Sequence, residues 1–289
     1  MELEVLCQST SACKGIIGKL TTREKNAVLN TVADLLLNKE DTIIAANELD
    51  IKYAQEKGMA KGMIDRLALN HARIEDIADG LRQVANLPDP VGEVLSSTVR
   101  PNGMNVTKRR VPMGVVGMIY ESRPNVTCDA FGLCFKTGNC VVLKGGSDAI
   151  HSNIALVAVI KEALEKHGLP TDACNLIEDT KRETTLAFMK MKDYVDVLIP
   201  RGGAGLIQNV VNNATIPVIE TGVGNCHIYV DKAADIEMAV NVVNNAKTQR
   251  ISVCNACESL LVHEDIAEEF LPVLQKKLLE KNVELRADV

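Results

Sequence analysis

The sequence predicts an α/β protein in two parts, an N-terminal helical layer leading into a mostly parallel sheet, followed by the start of a second α/β unit. Three observations carry this prediction. Apolar residues recur at three- and four-residue steps from Glu4 to about Leu87. Short β-rich runs alternate with helical ones from Val115 to about Asn212. A strand and helix pattern then restarts near Cys226.

Taken in order, the helical layer contains clear amphipathic stretches at Glu24 to Leu37 and Ile74 to Val84, and Thr21-Thr22 before Arg23-Glu24 makes a helix start. Pro88, Pro90 and Gly92 end the helical run. Asn105 to Val111 then alternates apolar and polar residues, which predicts a hairpin near 96–112, either a surface feature or a pairing edge for another subunit.

Strands are expected at Val115 to Tyr120, Cys140 to Lys144, Ala173 to Ile177, Val195 to Ile199 and Pro217 to Ile219. Helices are expected at Asn125 to Phe135, Asp148 to His167, Arg182 to Met191 and Ala204 to Asn212. Right-handed crossovers between such strands give a parallel sheet covered on both faces, the architecture of a nucleotide-binding domain. The second unit holds strand His227 to Val230, helix Ala234 to Lys247, strand Ser259 to Val262 and helix Asp265 to Glu280. The expected division is 1–225 and 226–289.

Composition narrows the function classes. The 289 residues carry 32 Lys and Arg against 38 Asp and Glu, a formal net charge of −6, with no basic cluster of the kind nucleic acids need. No apolar run is long enough to span a membrane, and nine Cys without a regular framework read as reduced thiols, which points to the cytoplasm.

In open α/β sheets ligands bind at the carboxyl ends of strands, so the turns after Tyr120, Lys144, Ile199 and Glu220 are the candidate positions. Lys144-Gly145-Gly146-Ser147 follows an apolar run, and Ser147 is placed to cap the next helix and leave backbone N–H groups for an anion. The alternative is an ordinary glycine turn, and no G-x-G-x-x-G follows any expected strand. Arg201-Gly202-Gly203 carries the same two readings. Cys254 lies in Ser252-Val253-Cys254-Asn255-Ala256-Cys257 between a helix and a strand, where an accessible nucleophile belongs; a buried thiol, a redox pair with Cys257 or half a metal site are the alternatives. Zinc would need a second ligand pair that the five dispersed His do not supply. Glu220 emerges at a strand end before Thr221-Gly222-Val223-Gly224.

In combination these segments resemble the aldehyde dehydrogenase superfamily from about Thr22 onward. Arg110 to Gly117 resembles the entry into the first cofactor-domain strand, and Cys140 to Ser147 the cofactor turn. Glu220-Thr221-Gly222 resembles the glutamate motif and Ser252 to Ala256 the nucleophile motif, with Cys254 following Glu220 by 34 positions. Glu121-Ser122-Arg123-Pro124-Asn125-Val126-Thr127 is similar to the turn of the γ-glutamyl phosphate reductase branch, where general members have a Trp-Asn pair. Cys257 stands where many relatives have an apolar residue.

The resemblance implies an aldehyde dehydrogenase-like fold, with a Rossmann-like parallel-sheet cofactor domain and an α/β catalytic domain that is incomplete here, because relatives continue further. It implies NADPH-dependent reduction of L-glutamate 5-phosphate to L-glutamate 5-semialdehyde and phosphate through a cysteine thioester, in proline biosynthesis. Cys254 is then the nucleophile, and Asn125 with the Cys254 backbone N–H the oxyanion donors. Glu220 is a positioning or proton-transfer residue, and Arg123 and Arg250 are candidates for the substrate carboxylate or leaving phosphate. Lys144, Gly145, Gly146, Ser147, Arg201, Gly202 and Gly203 are the cofactor contacts, and Ser147, in place of an acidic residue, admits a 2′-phosphate. Glutamate 5-kinase is the partner that would hand over the substrate, and a homo-oligomer stays open. Two rival expectations are an inactive cofactor-binding fragment or assembly partner, and an aldehyde-oxidising enzyme with Glu220 as base.

Overall fold

The computed structural model describes residues 2–222, 224–251 and 253–287. The chain divides into two compact units, Met1–Thr221 and Gly222–Val289.

The first unit opens with the helical layer: α1 (Leu3–Ala12), the single turn α2 (Lys14–Ile17), α3 (Thr22–Asn38), α4 (Glu40–Glu56), α5 (Lys61–Leu67) and α6 (His71–Asn86). Thr21 starts α3 with a reciprocal capping box, accepting from the Glu24 N–H while the Glu24 carboxylate accepts from the Thr21 N–H. Pro88 and Pro90 follow α6, and the antiparallel pair β1 (Val94–Val99) and β2 (Asn105–Arg109) forms the expected hairpin, exposed along both strands.

The sheet then builds from β3 (Val115–Tyr120), β4 (Cys140–Lys144), β5 (Cys174–Leu176) and β6 (Val197–Arg201), all parallel, in the order β5-β4-β3-β6. The intervening helices are α7 (Asn125–Lys136), α8 (Ile150–Lys166) and α9 (Arg182–Phe188), with α10 (Ala204–Asn213) after β6. Every residue of β3 and β4 is buried, as a sheet covered on both faces requires. The chain builds outward from β3 in one direction and then returns to its other side, so the topological switch lies between β3 and β6.

The expected strand at Pro217 to Ile219 does not form. Leu198 alone bridges to Val218, through its N–H to the Pro217 carbonyl and its carbonyl from the Ile219 N–H. Pro217 has no N–H to extend a ladder.

The second unit is a parallel pair, β7 (His227–Val230) and β8 (Ser259–Val262), backed by α11 (Ile236–Thr248) and α12 (Glu264–Leu279). Its core gathers Val230, Val240, Val243, Ile266, Phe270, Leu274 and Leu278. Among the described residues no helix is long and apolar enough to cross a membrane.

Candidate active site

Three turns at the carboxyl edge of the parallel sheet are tied together by side chains. Directly after β3, the Glu121 carboxylate accepts from the Gly203 N–H (2.9 Å) at the start of α10, and Ser122 donates to Asp148 (2.9 Å) in the turn after β4. A Cβ on Gly202 would lie 2.7 Å from the Glu121 carboxyl carbon, so this close approach requires glycine. The turn Arg201-Gly202-Gly203, read from the sequence as either a phosphate turn or a flexible connection, therefore already holds a carboxylate at its helix start. Sequence reasoning missed Glu121. The available signal was a carboxylate placed directly after a strand at the switch point.

The turn after β4 departs from expectation in one respect. Ser147 does not cap α8; it opens a single 3₁₀ turn, Ser147–Ala149, and α8 begins at Ile150 without a local side-chain cap. The first N–H groups of α8 are taken by Asp50 of α4, which accepts from the His151 N–H (3.2 Å), the Ser152 N–H (2.8 Å) and the Ser152 hydroxyl (2.6 Å). A carboxylate at a helix N-terminus satisfies both its orphan donors and its dipole. That end of α8 is thus filled from within the protein.

What the β4 turn does offer is a cation and an amide. Lys144 is buried, its ammonium donating to the Gly145 carbonyl (3.1 Å), and burial lowers its pKa against the opposing pull of Asp179. A Cβ on Gly145 would collide with the Asn153 amide, whose buried Nδ2 has no hydrogen-bond partner among the described residues while its Oδ1 accepts from Thr127 (2.9 Å). An unsatisfied donor beside a glycine cradle and a desolvated ammonium suits an anionic ligand. A cleft of about 740 Å³ opens at the end of β5, bounded by α1, α8 and α9 and lined by residues that include Leu6, Ile154, Lys161, Ile177, Asp179 and Glu183. The sequence-based list of strand ends did not include the one after β5, although Glu178-Asp179 directly follows its apolar run.

Asn125 is the first residue of α7, two positions after Arg123, and both are partly exposed. Its Nδ2 donates to Asp129 (2.9 Å), one turn on, which uses one of the two amide N–H groups. Desolvation raises the Asp129 carboxyl, opposed by Asn125 and Arg201, although its side chain keeps contact with solvent. Glu220 is exposed near the end of the first unit.

In the second unit, Cys254 is exposed on the irregular loop between α11 and β8, and Arg250 lies just past the end of α11. Cys257, by contrast, is buried, its thiol bonded to the Ser259 carbonyl (3.4 Å), and burial raises its pKa. Ser252 and Val223, which belong to the two sequence motifs here, lie outside the described residues. The structure therefore presents the proposed residues in two groups: Glu121 to Asn125 with Lys144 to Ser147 and Arg201 to Gly203 on the first unit, and Arg250 with Cys254 on the second.

Residues 3–288 match the aldehyde dehydrogenase family, and the chain belongs to it. Its curated relatives include γ-glutamyl phosphate reductases, an oxidoreductase group within that family. The protein of that name from Agathobacter rectalis is 63% identical over 287 residues, covering 99% of this chain and 69% of its own length. The one from Clostridium botulinum (strain Alaska E43) is 57% identical over 273 residues, covering 94% and 66%. The crystal structure of γ-glutamyl phosphate reductase from Thermotoga maritima superposes with a TM-score of 0.88 at 46% identity, covering 98% of this chain and 69% of that one. The chain thus spans about two thirds of the length of the relatives it matches.

Proposed function

We propose that this chain carries the reductase chemistry of its relatives, converting L-glutamate 5-phosphate to L-glutamate 5-semialdehyde and phosphate, a step of proline biosynthesis. The observation that carries the reading is the exposed thiol of Cys254 on an irregular loop, in a chain 63% identical to a γ-glutamyl phosphate reductase.

An acyl phosphate is an activated electrophile. Attack by the Cys254 thiolate on its carbonyl expels phosphate and leaves a thioester, which splits one difficult reduction into two easier steps. A reduced nicotinamide cofactor, NADPH in this reading, would when bound supply a hydride, by which the Cys254 thioester would become a thiohemiacetal. Collapse of that adduct releases the aldehyde and frees Cys254, with no hydrolytic water. The second N–H of Asn125 and the Cys254 backbone N–H stabilise the oxyanion formed in each half. Arg123 and Arg250 are assigned to the substrate carboxylate and the departing phosphate. Glu220 positions the reacting groups or moves a proton.

For the cofactor, Lys144 and Asn153 supply the donors at the β4 turn, and the cleft at the end of β5 lies within the size range of small-molecule sites. Ser147 brings no carboxylate of its own, and the Asp148 carboxylate in the same turn accepts from the Ser122 hydroxyl; acceptance of a 2′-phosphate there is part of the proposal. Lys144 also gives a signed pH effect, since its ammonium deprotonates below the ordinary lysine range.

The test is the reaction run backwards: phosphate-dependent reduction of NADP⁺ by glutamate 5-semialdehyde, on the wild type and on Asn125→Ala. Turnover in the wild type, lowered roughly 10²–10³-fold in the variant with cofactor affinity unchanged, supports the assignment. Aldehyde-dependent reduction that needs no phosphate would replace it with the oxidising reading. Cofactor binding without turnover would replace it with the cofactor-binding reading.

A further inference from the structure

The second unit holds a thiol that the proposed chemistry does not use. Cys226 sits directly before β7 and is partly exposed, and its Sγ–H donates to the carbonyl of Cys254 (3.3 Å), 28 positions along the chain. Its own carbonyl accepts from the Glu258 N–H (2.9 Å) and the Ser259 N–H (3.1 Å), so the strand pair clamps Cys226 beside the loop that carries the nucleophile. Cys254 itself occupies a turn outside helix or strand, where small rotations cost little.

The sequence pointed to a different thiol, Cys257, through the Cys254-x-x-Cys257 spacing. That side chain is buried, its hydrogen bond runs to the Ser259 carbonyl, and burial raises its pKa. An enclosed thiol engaged in this way is poorly placed to attack. Cys226, in contact with the Cys254 main chain and reached by solvent, is the better placed partner.

We propose that Cys226 and Cys254 form a peroxide-responsive modification site, in which Cys226 is the resolving thiol for an oxidised Cys254. The Cys254 thiolate attacks hydrogen peroxide, breaking the O–O bond, and becomes a sulfenic acid as hydroxide leaves. The Cys226 sulfur then attacks the Cys254 sulfur, and the sulfenic oxygen departs as water with the Cys226 proton, leaving a disulfide. Two equivalents of a small thiol restore both cysteines and are themselves oxidised to a disulfide. The linkage shields the exposed thiol from irreversible oxidation to the sulfinic acid.

The experiment treats the full chain with hydrogen peroxide, blocks remaining thiols with an alkylating reagent, and maps peptides by mass spectrometry with and without later reduction. A Cys226–Cys254 peptide in the wild type is expected, with dithiothreitol restoring nearly all of the Cys254 alkylation. Cys226→Ser should instead accumulate sulfinic acid on Cys254 and regain several-fold less alkylation, while Cys257→Ser behaves as the wild type. A disulfide to Cys257, or no disulfide with equal overoxidation in wild type and Cys226→Ser, would overturn the proposal. The wild-type peptide map decides the matter even where a variant folds poorly.

Discussion

The two units solve the same problem at different scales. In Met1–Thr221 the strands β3 and β4 are buried throughout, and the turns at their ends are braced by Glu121, Ser122 and Asp148. In Gly222–Val289 a two-stranded sheet rests on two helices, with Tyr229 at 56% and Leu261 at 55% of full exposure. The first unit offers side chains held in place by a large core. The second carries its exposed thiol on an irregular loop over a small one. Preorganisation thus belongs to the first unit, and adaptability to the second.

The largest effect should come from the adaptable side. Cys254→Ala removes the proposed nucleophile and should cost on the order of 10⁴–10⁶ in turnover, as loss of a covalent nucleophile does, while NADP⁺ binding measured by titration stays unchanged. A parallel fall in cofactor affinity would show that the division of labour between units is wrong.

Phe270 is fully buried in the small core, and Phe270→Ala should cost about 3–5 kcal/mol. That equals the whole margin a unit below about 70–80 residues commonly has. Hydrogen exchange should then show α12 and the β7/β8 pair losing protection while β3 and β4 keep theirs. Equal loss in both would mean that the chain unfolds as one body.

In the large unit the sensitive point is a buried ion pair. Lys25, 1% exposed, meets Asp89 at 2.5 Å. Burial pushes the Asp89 carboxyl up, but Lys25, the Val91 N–H and the Thr22 hydroxyl outweigh it, so its pKa is lowered. A carboxyl depressed in the folded state contributes stability that is complete above its unfolded value of about 4 and lost as pH falls through the folded one. Asp89→Asn leaves Lys25 buried and unpaired, at a cost of about 3–5 kcal/mol near neutrality. Urea midpoints compared at pH 7 and pH 3 should converge for wild type and variant on acidification; a constant gap would refute the electrostatic account.

The smallest expected effect is at Glu121. Glu121→Gln weakens one charge-assisted hydrogen bond on an exposed turn, by about 1 kcal/mol. A loss of stability of several kcal/mol, read from thermal unfolding, would mean that the clamp carries more of the unit than its single bond suggests.

What the sequence made legible follows from which signals are local. The apolar runs Val115 to Tyr120 and Cys140 to Lys144 announce strands because both faces are covered, and Thr21 with Glu24 announces a helix start because its partners are three residues apart. The cap on α8 was misread because Ser147 is the near residue and Asp50 the real one, over a hundred positions upstream. The Cys254-x-x-Cys257 spacing offered one neighbouring thiol, whereas the fold also brings Cys226, 28 positions upstream, against the Cys254 carbonyl. Pro217 to Ile219 looked like a strand by composition, and the missing proline N–H limited it to a single bridge.

The Asp50 contact also bears on the order in which the first unit assembles. Because the first turn of α8 is completed by α4 across a separation of 101 and 102 residues, the sheet's covering helix is not finished until the N-terminal layer has arrived. Closing so long a loop carries its entropic cost before any reward, which slows folding and joins the two layers into one cooperative step. Amides of α4 and α8 should accordingly open together in native-state exchange, and a chain that begins after α4 should leave α8 frayed at its start.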